Sequence, residues 1–353
     1  MWQGFGPVEG NEAPGWYTGR GVESPPGRML GAFQRAEHRG HVPPDKPSAA
    51  GRLPSHLTNG GERVNNANPW SALWQPEVDR REATIRSEHI TFPNAAAQRL
   101  SGRIDYPPTG ELAGFALYAH CFTCTKNLRA IGRITETLAL HGLATLRFDF
   151  AGMGDSEGDF AETNFSTNVD DLVAAADYLV AELEPPEVLI GHSLGGAVAL
   201  QGAARIPSTR AVVTIAAPAS TEHIKRHLAL DLDIIEQQGE AEVLLAGRSF
   251  TIRRQFIADA ENAKLEEAIP ILRRPLLVLH SPIDARVGIE NAAEIFGLAR
   301  HPKSFISLDG ADHLVTNDAD ARFAAEVIVT WVDRYTTRDL VSHAQPDFVP
   351  EAP

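Results

Sequence analysis

From about residue 85 to residue 335, short apolar runs alternate with longer helical stretches, and no other feature constrains the fold as much. The runs are Phe115–His120, Thr145–Phe148, Val188–Ile190, Ala211–Ile215, Leu276–His280 and Ser304–Leu308. Helical stretches lie at Asn127–His141, Asn164–Ala181, Ser193–Ile206 and near Ile289–Leu298, and Asp318–Tyr335 closes the pattern. Ile85–Phe92 and Arg99–Ile104 come first and read as an antiparallel pair of edge strands. Buried strands joined through helices close into a mainly parallel sheet covered on both faces. Right-handed crossovers then bring the strand C-termini to one edge, where sites collect. The expectation is an α/β fold: a mostly parallel eight-stranded sheet with helices on both faces.

The first 80 residues lack this pattern. They hold 10 of the 24 prolines, 12 of the 29 glycines and four of the five tryptophans, and their eight basic and eight acidic residues balance. A stretch with no period and recurrent turn pairs such as Pro25-Pro26 and Pro43-Pro44 buries too little apolar surface to offset chain entropy. Residues 1–80 are therefore expected to form a disordered extension, the alternative being that the tryptophans dock on the domain or a partner. A single domain is expected over 81–337, with 338–353 as a tail. The formal charge of −14, from 32 basic and 46 acidic residues, falls outside those first 80 residues. It argues against nucleic-acid binding and against an anionic membrane surface. No run approaches the ~20 apolar residues that span a bilayer, and residues 1–12 lack the basic start and apolar core of a secretory signal. Two cysteines are too few for a disulfide scaffold and suit a reducing compartment. These features point to a soluble cytoplasmic protein.

The chemistry is concentrated in Leu189-Ile-Gly-His-Ser-Leu-Gly-Gly196. An apolar strand precedes this Gly-x-Ser-x-Gly and a small-residue helix follows, the setting that puts a serine on a tight, strained turn. Such a turn needs near neighbours without side chains, and Gly191 and Gly195 supply them. Ser193 at a helix N-terminus also has free N–H groups aimed at any developing oxyanion.

A serine hydroxyl needs a base to become a nucleophile, and the base needs an orienting acid. On this strand order they follow as acid, then histidine. Asp284 lies in the loop after Leu276–His280, and His313 in the loop after Ser304–Leu308. Asp309 and Asp312 compete for the acid and His280 and His301 for the base, but none sits as well at the end of its strand. His192 reads as packing. The oxyanion donors are expected to be the Leu194 N–H and the Phe122 N–H, with Cys121 second, and His120 is expected to tie that loop down. Cys121-x-x-Cys124, between a strand and a helix, leaves a thiol redox pair open as a rival reading. No second cysteine pair completes a zinc site, and no cofactor or metal is expected.

These motifs, with Phe148-Asp-Phe-Ala-Gly-Met-Gly-Asp-Ser156, resemble the α/β-hydrolase family of serine hydrolases. Ala119-His-Cys-Phe-Thr-Cys124, Gly158-Asp-Phe160, Leu279-His-Ser-Pro282 and His301-Pro-Lys-Ser-Phe305 look like the bacterial hydrolase module often fused to an OsmC-like peroxide-reductase domain. The resemblance spans about 85–335, and no fused domain is expected in the residues up to Pro353. The family's usual His-Gly in the oxyanion loop is His120-Cys121 here. The resemblance implies that residues of about 219–270 form a small cap over the site. Within it Glu222–Gln237 reads as helix, and Glu242–Ile252 as a hairpin turning near Gly247. Phe250 and Phe256 are candidates to line the pocket. The implied activity is a metal-free serine carboxylesterase acting on small to medium acyl esters through an acyl-enzyme. Its partner is a small-molecule ester, and the oligomeric state stays open. An amidase or peptidase on the same triad is the alternative, and the cysteine pair a more distant one. Epoxide and haloalkane chemistry is disfavoured, because those relatives carry Asp where Ser193 stands.

Overall fold

The computed structural model describes residues 84–108, 112–221, 228, 231–245 and 247–336. The readings made for 1–80, for 338–353 and for the first part of Glu222–Gln237 fall outside these residues. The strands, in chain order, are β1 (Arg86–Pro93), β2 (Arg99–Tyr106), β3 (Gly114–Ala119), β4 (Leu143–Phe148), β5 (Pro186–His192), β6 (Ala211–Ile215), β7 (Glu240–Leu245), β8 (Arg248–Arg253), β9 (Leu276–His280) and β10 (Lys303–Ser307). Eight of them form one sheet in the order β1-β2-β4-β3-β5-β6-β9-β10. Pairing is antiparallel for β1 with β2 and for β2 with β4. From β4 to β10 every pair is parallel.

Every residue of β3, β4, β6 and β9 is buried, which is why these strands read as unbroken apolar runs. One expectation is corrected. β2 is not an edge strand, because it also pairs with β4 from Gly102↔Phe148 to Asp105↔Thr145. Its alternating pattern fits an edge or a second position equally well, so only the pairing separates them.

The helices are α1 (Arg129–Leu140), α2 (Phe165–Glu182), α3 (Leu194–Gly202), α4 (Leu232–Gln238), α5 (Arg254–Asn262), α6 (Leu265–Ile271), α7 (Glu290–Leu298) and α8 (Asp318–Val332). Alternate strand residues serve opposite faces. Ala116, Tyr118, Val188 and Ile190 pack with Ile131 and Ile134 of α1 and Ile328 of α8. Leu117, Leu189 and Val212 pack with Leu172 of α2, Val198 of α3 and Ile295 of α7. Each fully buried aliphatic side chain contributes about 1.5–3 kcal/mol over its exposed state.

Local chemistry sets the ends. The Asn164 side chain accepts from the Thr167 N–H, and the Thr167 hydroxyl accepts from the Asn164 N–H, a reciprocal box that starts α2 where the sequence places it. α3 stops at Gly202 and tightens into a 3-10 turn at Ala203–Arg205, shorter than the expected Ser193–Ile206. Pro207 keeps helical geometry from extending through Ile206, since the residue before a proline is pushed out of it; Ile206 stands at φ −116° and ψ 89°. Between β6 and β9 lie α4, the hairpin β7-β8, α5 and α6. The hairpin turns at Gly247, whose φ of 79° suits a residue without a side chain. No helix among the described residues is long and apolar enough to cross a membrane.

Candidate active site

Ser193 sits between the end of β5 and the start of α3 at φ 54° and ψ −124°. A side chain held at positive φ stores on the order of 1–3 kcal/mol of strain, which the surrounding packing must offset. The packing is tight enough to do so. A Cβ on Gly191 would lie 2.2 Å from the Gly195 carbonyl oxygen, and one on Gly195 would lie 2.3 Å from the Ala119 carbonyl oxygen. The Ser193 N–H donates to the Ile215 carbonyl of β6 at 2.8 Å, which fixes the turn to the neighbouring strand.

The structure brings the three expected side chains together. His313 Nε2 lies 3.0 Å from Ser193 Oγ, and His313 Nδ1 lies 2.7 Å from Asp284 Oδ2. With the proton on Nδ1, held by the carboxylate, Nε2 is left to accept from the serine hydroxyl. The other Asp284 oxygen accepts the N–H groups of Arg286 at 2.8 Å and Val287 at 3.0 Å. Burial works to raise the Asp284 carboxyl. The hydrogen bond and charge of His313, with the two backbone donors, outweigh it and hold the group below the usual carboxylate range. Asp284 is thus the anion behind the imidazole.

The competitors are occupied elsewhere. Asp312 accepts from the N–H and hydroxyl of Thr316, and Asp309 takes the Ser307 hydroxyl. His301 is exposed. His280 Nε2 donates to the Val287 carbonyl at 2.8 Å and lies 3.7 Å from Asp284 Oδ2. His192 Nε2 donates to the carbonyl of His313 itself at 2.7 Å, so it fixes the backbone of the imidazole. Burial, and then the neighbouring His313, push His192 down to about 4 and keep it neutral.

The oxyanion candidates are also adjacent. Phe122 and Leu194 line one small recess, and neither N–H donates to a protein acceptor among the described residues. His120 ties the loop down as expected: its Nδ1 donates to the Cys121 carbonyl at 2.8 Å and its Nε2 faces the Phe150 N–H at 3.4 Å. Cys121 and Cys124 are joined in a disulfide with their Cα atoms 5.3 Å apart, a pairing the sequence leaves open.

Sequence reasoning misses one element beneath this loop. Lys126, fully buried, holds Asp149 Oδ2 at 2.5 Å and Asp155 Oδ2 at 2.7 Å, while its N–H donates to Asp149 Oδ1 at 2.6 Å. The Lys126 carbonyl in turn accepts from Arg147. The loop carrying Phe122 is thereby fastened to the end of β4. A buried charge without these partners would cost several kcal/mol. A lysine in a loop reads as solvated, and only the Asp in Phe148-Asp-Phe hints otherwise.

Ser193 and His313 open into a cavity of about 540 Å³ that Phe122, Leu128, Leu244 and Leu245 also line. The hairpin β7-β8 therefore reaches the site. Phe250 and Phe256, expected in the lining, are buried instead in an aromatic cluster. Phe256 lies 5.5 Å from Phe122 and Phe250 4.8 Å from Phe160, ring centre to ring centre. Strand alternation turns Phe250 towards the body of the protein, and Leu244 at the tip takes the exposed place. Among the described residues no group of three or more His, Cys, Asp or Glu is arranged to hold a metal ion.

The comparisons with known proteins agree with this architecture. An esterase domain from a Rhodothermus marinus protein is 49% identical, with a TM-score of 0.60 over 71% of this chain and 99% of that one. Est1E from Butyrivibrio proteoclasticus, solved with ferulic acid, shares the fold at 20% identity and a TM-score of 0.58, over 70% of this chain and 98% of that one. Mouse palmitoyl-protein thioesterase ABHD10, mitochondrial, is 25% identical over 276 residues, 75% of this chain and 88% of that protein. The profile of the alpha/beta hydrolase family matches residues 112–326, from just before β3 into α8. A sheet of this order, a serine on the turn after β5 and a family match over more than half its length all lead to one assignment: the chain belongs to the alpha/beta hydrolase family.

Proposed function

We propose that this hydrolase is a serine carboxylesterase for small to medium acyl esters. The observation that carries the reading is the contact of Ser193 Oγ with His313 Nε2 at 3.0 Å, with Asp284 behind it at 2.7 Å. Ser193 Oγ attacks the ester carbonyl carbon as His313 Nε2 takes its proton. The carbonyl oxygen becomes an oxyanion at the Leu194 and Phe122 N–H groups, where one such donor is worth about 10²–10³ in rate. Collapse breaks the carbon–oxygen bond to the leaving group, and His313 returns the proton to the departing alcohol. Water then attacks the acyl-enzyme with His313 as base, releasing the acid and restoring the serine hydroxyl. Ester and water give acid and alcohol. The Rhodothermus marinus relative, described as an esterase domain, supports this reading. The cavity of about 540 Å³ suits acyl groups of modest length.

Hydrolysis of p-nitrophenyl esters from acetate to palmitate is the test. Turnover of the shorter chains is expected, with a loss of at least about 10³-fold in Ser193→Ala. Folded wild type that turns over no ester would overturn the esterase, and turnover surviving in the variant would overturn the nucleophile. The mouse relative's description as a thioesterase favours a second reading, the same steps with a thiol leaving group. Faster turnover of acyl thioesters than of matched oxygen esters would establish it. The disulfide favours a third, thiol–disulfide exchange, in which Cys121→Ser abolishes activity and Ser193→Ala leaves it.

A further inference from the structure

The cavity in front of Ser193 carries two charges, both positive. Arg248, the first residue of β8, and Arg286, two residues past Asp284, line it together with Ser193 and His313. No carboxylate is among the described residues that line it, in a chain whose formal charge is −14. Both arginines are exposed, and among the described residues neither guanidinium has an ion-pair partner. Some other arginines are paired: Arg99 with Glu157, Arg205 with Asp170, and the half-buried Arg253 with Glu162 and Glu240. The exposed Arg273, Arg300 and Arg322 form no ion pair among the described residues. What sets Arg248 and Arg286 apart is that they line the cavity of Ser193. Arg248 lies 5.2 Å from the centre of the Phe250 ring, a stacking contact that leaves its N–H groups unused. Arg286 spends only its backbone N–H, on Asp284.

A guanidinium presents a planar fork of donors that matches a carboxylate or phosphate. Two of them in the lining of one cavity that no carboxylate lines, one from the hairpin and one from the Asp284 loop, make a place for an anion. We infer that Arg248 and Arg286 form an anion subsite, and that the preferred substrates are esters bearing a carboxylate or phosphate group a few atoms from the scissile carbonyl. This inference rests on the serine-esterase reading above. The anion can belong to the acyl part or to the alcohol part, and the guanidinium chemistry is the same for both.

The test compares each charged ester with a neutral isostere. For the acyl side the pair is the mono-4-nitrophenyl ester of adipic acid against that of its monoamide. For the alcohol side it is 4-acetoxybenzoate against 4-acetoxybenzamide. Each ratio of kcat/KM is corrected for the hydroxide-catalysed rates. At low ionic strength at least one ratio should reach about 5, the scale that solvent-exposed ion pairs allow. It should fall towards 1 in 1 M NaCl, where charges are screened within about 3 Å. Arg248→Gln and Arg286→Gln should each lower the same ratio. A ratio taken within one preparation cancels the amount of folded enzyme, so a poorly folding variant does not imitate the effect. Inhibition of neutral-ester turnover by the adipic acid monoamide and by butyl phosphate compares the two anions. Neutral esters turned over with both ratios at or below 1 would overturn the subsite and leave the esterase standing. No turnover of any member of either pair would overturn the esterase and the subsite with it.

Discussion

At the residue scale, His192 stands behind the proposed base, His313. It holds the His313 carbonyl and is buried and neutral, pushed down to about 4. In the unfolded chain it titrates near 6.5, so between the two values unfolding takes up a proton. The stability contributed by the neutral ring is present above about pH 6.5. It is lost as pH falls towards 4, to the extent of about 3 kcal/mol. His192→Asn keeps a donor for the carbonyl but no proton to titrate, so urea unfolding should show a flatter decline over that range. His120 and His280, also pushed down by burial, remain in both proteins. Equal slopes for wild type and variant would sink the assignment. Ser193, Asp284 and His313 were legible in the sequence because each lies in the turn or loop after a parallel strand, β5, β9 and β10, where position stands in for geometry. Lys126, Arg248 and Arg286 were not, because a charge in a loop or at a hairpin tip looks the same whether its partner is water, a distant aspartate or a substrate.

At the scale of elements, the inner strands β3, β4, β6 and β9 were legible for the reason that makes them stable, burial on both faces. The hairpin was legible through Gly247, but its direction of packing was not. Alternation identifies two faces of a strand without saying which one meets the core. An isolated two-stranded ribbon is marginal in water, so its anchor decides whether it stays down. Here the anchor is Phe250 against Phe160, with Phe256 and Phe122 beside them. Phe250→Ala removes a packing contribution of about 3–5 kcal/mol. The loss should be local, speeding amide hydrogen exchange across residues 240–253 by about 10²-fold or more and leaving β5 and β6 unchanged. Ester turnover should fall with it, because Phe122 belongs to the same cluster. Unchanged exchange in the hairpin would show that other contacts hold it.

At the scale of the molecule, all eight strands of the sheet and all three members of the Ser193 constellation lie between Arg86 and His313, and the last α-helix among the described residues ends at Val332. A chain beginning at Arg81 should therefore keep both its melting temperature and its ester turnover, and loss of either would place the preceding residues within the working fold. The order of assembly also matters. Ser193 and His313 are 120 residues apart in sequence, and between them come β6, the hairpin, β9 and β10. In the proposed mechanism, the serine elbow is complete on the ribosome long before its base, His313, has been made. It gains its base only when the C-terminal part of the sheet has docked. On that mechanism a growing or misfolded chain carries an inert serine, and labelling by a serine-directed phosphonate is expected to count only the molecules that have finished folding.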